Sequence, residues 1–168
     1  MPQLTDYHRG LIGSASEPRE IPHSINRPMA DHWCEMVEDA NPIYHDEAYA
    51  RGTWLQGTIA PPTMLLTWNM RPVWPEAVEE GPLDRLGLPG CDATIAVNAT
   101  QEYFQPLRYG DRIWASHQIA AISEEKTTRL GNGHFVTLLT SFTSQAGTLV
   151  GTHQFRLFVY GPHAEAPG

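Results

Sequence analysis

The apolar positions of this chain change period once, and the change divides it. In the first part they recur at helical spacing. Met29, Trp33, Met36, Val37 and Ala40 share one face of a 3.6-residue repeat. Asn26 ahead of them suits a helix cap, and Pro28 is harmless in a first turn. A short helical stretch is predicted from Asp46 to Arg51, ending at Gly52. Another is predicted to open at Pro61 and Pro62, to turn Met64, Leu65 and Trp68 inward, and to stop at Pro72 after about ten residues. Pro72, Pro75, Pro82 and Pro89 then punctuate the chain at short intervals. The stretch 72–91 therefore predicts a long excursion loop, of a kind that often carries function. Beyond Asp92 the pattern becomes β-branched and, in places, alternating. Strands are predicted over 94–104, 112–122, 134–144 and 148–160, the third entered through a Gly131-Asn132-Gly133 turn. Residues 1–23 predict an arm or short leading strand, residues 24–160 one domain, and residues 161–168 a flexible tail. Helices succeeded by antiparallel strands pack most economically as one sheet wrapped around a helix, an α+β arrangement.

Composition narrows the function classes. A chain of 168 residues with 41% hydrophobic content can bury a core without staples. Its net charge is −8 and it has no basic run, so nucleic acid is not expected as a partner. No apolar run approaches the ~20 residues that span a bilayer, and no basic–apolar–small leader is read at the start. No membrane partner is expected. Cys34 and Cys91 occur in no metal-ligand spacing. A reducing cytoplasm and no metal are the expectations.

The densest chemistry lies in Asp39-Ala40-Asn41-Pro42-Ile43-Tyr44-His45-Asp46. Asn-Pro signals a turn, and a polar cluster on a bent segment is a common setting for acid–base work. Asp39 and His45 form the candidate pair, with Asn41 or Tyr44 orienting water. Asp46 suits the cap of the adjoining helix. His134 is expected at a strand start on the surface. His32, His117 and His153 sit inside elements and are expected to be ordinary core or surface histidines.

This segment, together with Ala60-Pro61-Pro62-Thr63, Gln105-Pro106-Leu107-Arg108-Tyr109-Gly110-Asp111 and the stretch 127–136, resembles the MaoC-like dehydratases. The resemblance covers roughly residues 10–160. It is to the (R)-specific enoyl-CoA hydratases, and in particular to their N-terminal fatty-acid-synthase-like dehydratase branch, which includes partner subunits of steroid side-chain hydratases. It implies a hot-dog fold with the central helix starting near Pro61. It also implies a trans-2-enoyl thioester of coenzyme A as substrate, no further cofactor, and two hot-dog units side by side, as a homodimer or a heteromer. In active members an Asp and a His five positions later share the acid–base work, and a glycine N–H at the helix start holds the thioester oxygen. Five positions after Asp39 stands Tyr44, with His45 one place further, and the glycine position falls on Pro62, which has no N–H. Thr63 is then the candidate oxyanion donor, and Arg108 and Arg129 are candidates for the coenzyme A phosphates. The resemblance thus implies a hydratase component with a degenerate dyad that completes the cleft of a hot-dog partner. The alternatives are a self-sufficient homodimer using Asp39 and His45, and a non-catalytic acyl-CoA binding module.

Overall fold

A computed structural model of the chain describes residues 4–70, 74, 81–83 and 85–163. Helix α1 (Asp6–Leu11) and the two-residue strand β1 (Arg19–Glu20) lie in the leading segment. Three helices come next: α2 (Arg27–Val37), α3 (Pro42–His45) and α4 (Glu47–Arg51). A 3-10 turn (Pro62–Met64) runs directly into α5 (Leu65–Trp68). The remainder is strand: β2 (Ala93–Tyr103), β3 (Ile113–Ile122), β4 (Lys126–Thr127), β5 (Gly131–Ser144) and β6 (Leu149–Pro162). They form one antiparallel sheet in the order β1-β3-β5-β6-β2, with β4 paired to β5.

The sheet holds its helices through two apolar clusters. One gathers Met64, Leu65 and Trp68 of the central helix against Ile113, Ala115, Phe142 and Val150. The other places Leu4, Leu86 and Leu88 over Ile119, Ile122, Val136, Leu157 and Val159. Much of the 72–91 excursion lies outside the described residues, but its end delivers Leu86 and Leu88 to this second cluster. His8 ties the two coverings together: its Nδ1 accepts from the Thr5 N–H at 3.1 Å, and its Nε2 lies 2.9 Å from the Leu86 carbonyl.

The predicted caps are present. Asn26 accepts from the Met29 N–H at 3.0 Å, and Asp46 from the Tyr49 N–H at 3.0 Å. Four expectations need correction. The central helix is shorter than predicted, because its last turn tightens: Asn69 N–H reaches Leu66 O and Met70 N–H reaches Thr67 O. Position 72, the predicted stop, lies outside the described residues. Gly131-Asn132-Gly133 is strand, not turn. Its glycines are needed because β6 passes so close that a Cβ on Gly133 would collide with the backbone of Val159 and Tyr160. The chain reverses earlier, where Thr128 N–H bonds Gly131 O at 2.9 Å. Since β5 begins at Gly131, it pairs Gly161 and Pro162 into the sheet, so the predicted tail is ordered there. His134 is buried at the same point, with Nδ1 at 2.8 Å from Ser123 O.

Candidate active site

Helix α2 ends on Glu38, a non-glycine residue in the left-handed region at φ 59°. That turn reverses the chain, and the Asp39 N–H bonds back to Cys34 O at 2.9 Å. Asp39 then uses one carboxylate oxygen to accept the Asn41 N–H at 3.1 Å. Asn41 in turn caps α3 by accepting the Ile43 N–H at 3.1 Å. Both residues thus hold the shape of the loop they sit in. The loop is joined to the approach of the central helix by Ile59 N–H to Ile43 O, and by the Tyr109 hydroxyl, which donates to Tyr44 O at 3.0 Å. Burial pushes the Tyr109 phenol up to about 12.

The Tyr44 and His45 rings meet edge to face, with centroids 6.2 Å apart. Burial, and after it the Asp39 carboxylate, raise the Tyr44 phenol above its usual value. Tyr44 is therefore a neutral phenol, able to donate a hydrogen bond. His45 instead has Nδ1 at 3.1 Å from Asp31 Oδ1, on α2. Arg27 completes that cluster, with Nε 3.6 Å from Asp31 Oδ2 and Nη2 donating to the His45 carbonyl at 2.7 Å. The His45 ring bonds to Asp31, and no bond from it to Asp39 occurs among the described residues. The residues that sequence reasoning overlooked are Asp31 and Arg27, and their only signal was i,i+4 spacing on the predicted helix face.

The helix start offers the substrate little. Pro61 and Pro62 have no N–H, and Met64 N–H is taken by Pro61 O at 3.0 Å. The exposed Thr63 therefore carries the first amide of the segment. Beside it is a shallow apolar notch formed by Pro62, Leu65, Tyr103, Pro106 and Val150.

Arg108 does not stand ready for a phosphate. Its Nη2 donates to Leu55 O and its Nη1 lies 3.5 Å from Thr58 O, so the guanidinium clamps the loop before the helix. Glu47 grips the same loop through the Thr58 N–H and hydroxyl at 3.2 and 3.1 Å, which, with Arg51, hold its carboxyl below the usual range. Asp111 accepts the Arg108 N–H at 2.7 Å and so helps hold this turn. Arg129 is exposed on the β4–β5 turn and makes no side-chain bond among the described residues. No cluster of three or more His, Cys, Asp or Glu side chains suited to a metal occurs among the described residues. No helix there is long and apolar enough to cross a membrane.

An antiparallel sheet wrapped around one short helix, with an Asn-Pro loop of acid, phenol and imidazole tied to the helix approach, defines a hot-dog protein of the dehydratase type. The family model for the FAS1-like dehydratase domain region matches residues 11–153, and the chain belongs to that family. It is 36% identical over 169 residues to a probable enoyl-CoA hydratase alpha subunit of Thermomonospora curvata, covering 94% of this chain and 53% of that one. It is 34% identical over 125 residues to the 3-oxo-4,17-pregnadiene-20-carboxyl-CoA hydratase alpha subunit of Mycobacterium tuberculosis, covering 72% of this chain and 40% of that one. The chain thus spans about half the length or less of these curated relatives. Among solved structures it resembles a chain of the ChsH1-ChsH2 complex of Mycobacterium tuberculosis, with TM-score 0.86, 26% identity, and coverage of 94% and 95% of the two chains.

Proposed function

We propose that this chain is one subunit of a two-chain enoyl-CoA hydratase, completing the acyl-CoA cleft of a hot-dog partner that carries the working acid–base pair. Hydration of a trans-2-enoyl thioester adds water oxygen to C3 and a proton to C2, while negative charge gathers on the thioester oxygen. It needs a base at the water, an acid at C2 and donors at that oxygen. The observation that carries the reading is the pairing of His45 with Asp31. It engages the imidazole with Asp31, and the neutral Tyr44 phenol at the expected histidine position is a poor base near neutral pH. The same pairing weighs against a self-sufficient homodimer built on Asp39 and His45.

Further features support a two-chain enzyme on coenzyme A thioesters. Strand β2 is an eleven-residue sheet edge, paired on one side with β6. Its Ile95, Val97 and Tyr103 and the adjoining Phe104 are exposed. An edge that long and apolar is normally covered, and a second hot-dog sheet is the cover we assign. Two curated relatives are named alpha subunits, and one similar structure is of a two-protein complex. Thr63 N–H is the donor we assign to the thioester oxygen, and Arg129 the cation nearest in role to a phosphate ligand. The short central segment, Pro62–Trp68, leaves length for a bulky acyl group. With Cys34 and Cys91 both free, we place the protein in a reducing cytoplasm.

The test is to purify the chain alone and with the subunit it carries from its source cells, and to assay hydration of crotonyl-CoA and of bulkier enoyl-CoA thioesters. Activity is expected only in the pair. Robust activity of the chain alone, abolished by Asp39→Ala and by His45→Ala, would overturn the reading. Binding of acyl-CoA without turnover in any pairing would leave a binding module instead.

A further inference from the structure

The notch beside Thr63 is blind. Leu65, Leu107 and Val150 form its floor, and all three are buried. The central helix sits directly on the sheet at this point: a Cβ on Gly151, the neighbour of Val150, would come 2.5 Å from Leu65 Cδ2. Pro62, Tyr103 and Pro106 stand around the floor. Carbon forms nearly all of the surface, so the notch suits an apolar occupant. The space inside admits a group the size of one methyl and little more.

Its walls are tied in place. The Val150 carbonyl accepts the Phe104 N–H at 2.9 Å and the Gln105 N–H at 3.3 Å, which pins the end of β2 to β6. The Ala60 N–H donates to Leu107 O at 2.8 Å, which pins the turn after β2 to the approach of the helix. Arg108 holds the same approach through Leu55 O and Thr58 O. The Tyr103 hydroxyl donates to Gln101 Oε1. Two proline rings stiffen the rest. The notch is therefore preformed, and these bonds resist its widening for a larger group.

We propose that the notch seats a short alkyl branch close to the thioester, a methyl on C2 or C3 of the acyl group, so that the enzyme favours branched 2-enoyl thioesters. This rests on the acyl-CoA reading above, which puts the thioester at the helix start. C2 and C3 are the first carbons beyond the carbonyl, so a branch on either lies within reach of a hollow beside Thr63. An acyl tail needs a path that continues, and a blind hollow stops it after one carbon. A side branch ends there without obstructing the tail. A straight chain leaves the hollow unfilled and forgoes the apolar area that a methyl would bury. Tyr103 stands on the exposed β2 edge assigned to the partner subunit, so a side chain of that subunit is the competing occupant.

Saturated thioesters test this without turnover. Butyryl-CoA, each enantiomer of 2-methylbutyryl-CoA, 3-methylbutyryl-CoA and 2-ethylbutyryl-CoA are bound to the protein with its natural subunit, in the wild type and in Val150→Ile and Val150→Ala. The wild type is expected to bind at least one methyl-branched thioester about fourfold more tightly than butyryl-CoA, the worth of one buried methyl. The isomer preferred identifies the carbon that carries the branch. Val150→Ile puts a methyl of its own into the notch, and the ratio should fall toward one. Val150→Ala deepens the notch and should move the preference toward the ethyl branch, which decides the matter if the Ile variant fails to fold. A wild type that binds every branched thioester no better than butyryl-CoA overturns the subsite and leaves the notch to the partner subunit. A methyl preference unchanged in both variants overturns it as well, since the branch then seats elsewhere. A wild type that binds none of the thioesters overturns the acyl-CoA reading and the subsite with it.

Discussion

The α2–α4 loop and the inner face of β6 both carry histidine in a site-like setting, yet they treat it in opposite ways. On the loop, Asp39, Asn41 and Asp46 accept backbone N–H groups, and His45 is tethered to Asp31. Its polar groups are largely occupied in holding the loop's own conformation. On β6, His153 is far more deeply buried and has no hydrogen-bond partner among the described residues. A polar group that the fold itself satisfies is architecture.

The sharpest way to break this contrast is to give the loop back its chemistry. Tyr44→His places an imidazole five positions after Asp39, and Pro62→Gly restores an amide at the helix start. Acid–base catalysis contributes about 10²–10⁴-fold, and one oxyanion donor about 3 kcal/mol. The double variant, assayed alone on crotonyl-CoA, should rise at least about 100-fold over the unmodified chain. If it folds and stays inactive, register at Tyr44 is not what disables the loop. The contrast also predicts different tolerance to added bulk. Gly133→Val forces a side chain into the backbone of β6 and should lower unfolding stability by about 3 kcal/mol or more in urea titrations. Gly147→Ala has open space but a φ of 76°, and should cost only about 1 kcal/mol. Equal losses would show that β5 and β6 are less closely packed than their register implies.

The family and the fold were legible because they rest on local chemistry. Asn26 and Asp46 announce their caps, and the Asn-Pro loop and the tandem prolines at 61 and 62 announce the approach to the helix. The alternating runs after residue 92 announce the strands. Everything decided by pairs distant in sequence failed to show. Gly131 and Gly133 look like turn residues until β6 is laid against them. Arg108 looks like a free cation until the loop at 55–58 folds under it, 50 residues away in sequence. His45 looks like the partner of Asp39 because the two are near in sequence, while Asp31, 14 residues back, is nearer in space. The rung of His117, Thr140, His153 and Gln101 needs four strands in register before it exists at all.

Proton linkage distinguishes the two histidine settings more gently. Burial holds the folded-state pKa of His153 below the ordinary 6.5. The unfolded chain therefore takes up a proton first as pH falls, and stability declines below about pH 6.5 until the folded pKa is passed. His153→Phe removes that contribution, so its urea midpoint should fall less between pH 7 and pH 5 than that of the wild type. A slope identical in both proteins would mean that the ring titrates as if in water.

The smallest effects separate the two arginines, and they extend the same distinction between engaged and open groups. Arg108 bridges two backbone carbonyls with a planar fork. Lysine supplies a charge there but not the geometry, so Arg108→Lys should lower stability by about 1 kcal/mol and leave affinity for coenzyme A nearly unchanged. Arg129 is exposed and holds nothing in place among the described residues. Arg129→Ala should leave stability within about 0.5 kcal/mol and weaken coenzyme A binding by a few-fold, more at low salt than at high, as an exposed phosphate contact must. Dephospho-coenzyme A, which lacks the ribose phosphate, identifies the contact. If Arg129 meets that phosphate, the wild type and Arg129→Ala bind the dephosphorylated form equally, and if the difference persists it meets the diphosphate. A loss of coenzyme A affinity in Arg108→Lys with stability intact would reverse the assignment, placing the ligand contact on the arginine the loop has claimed.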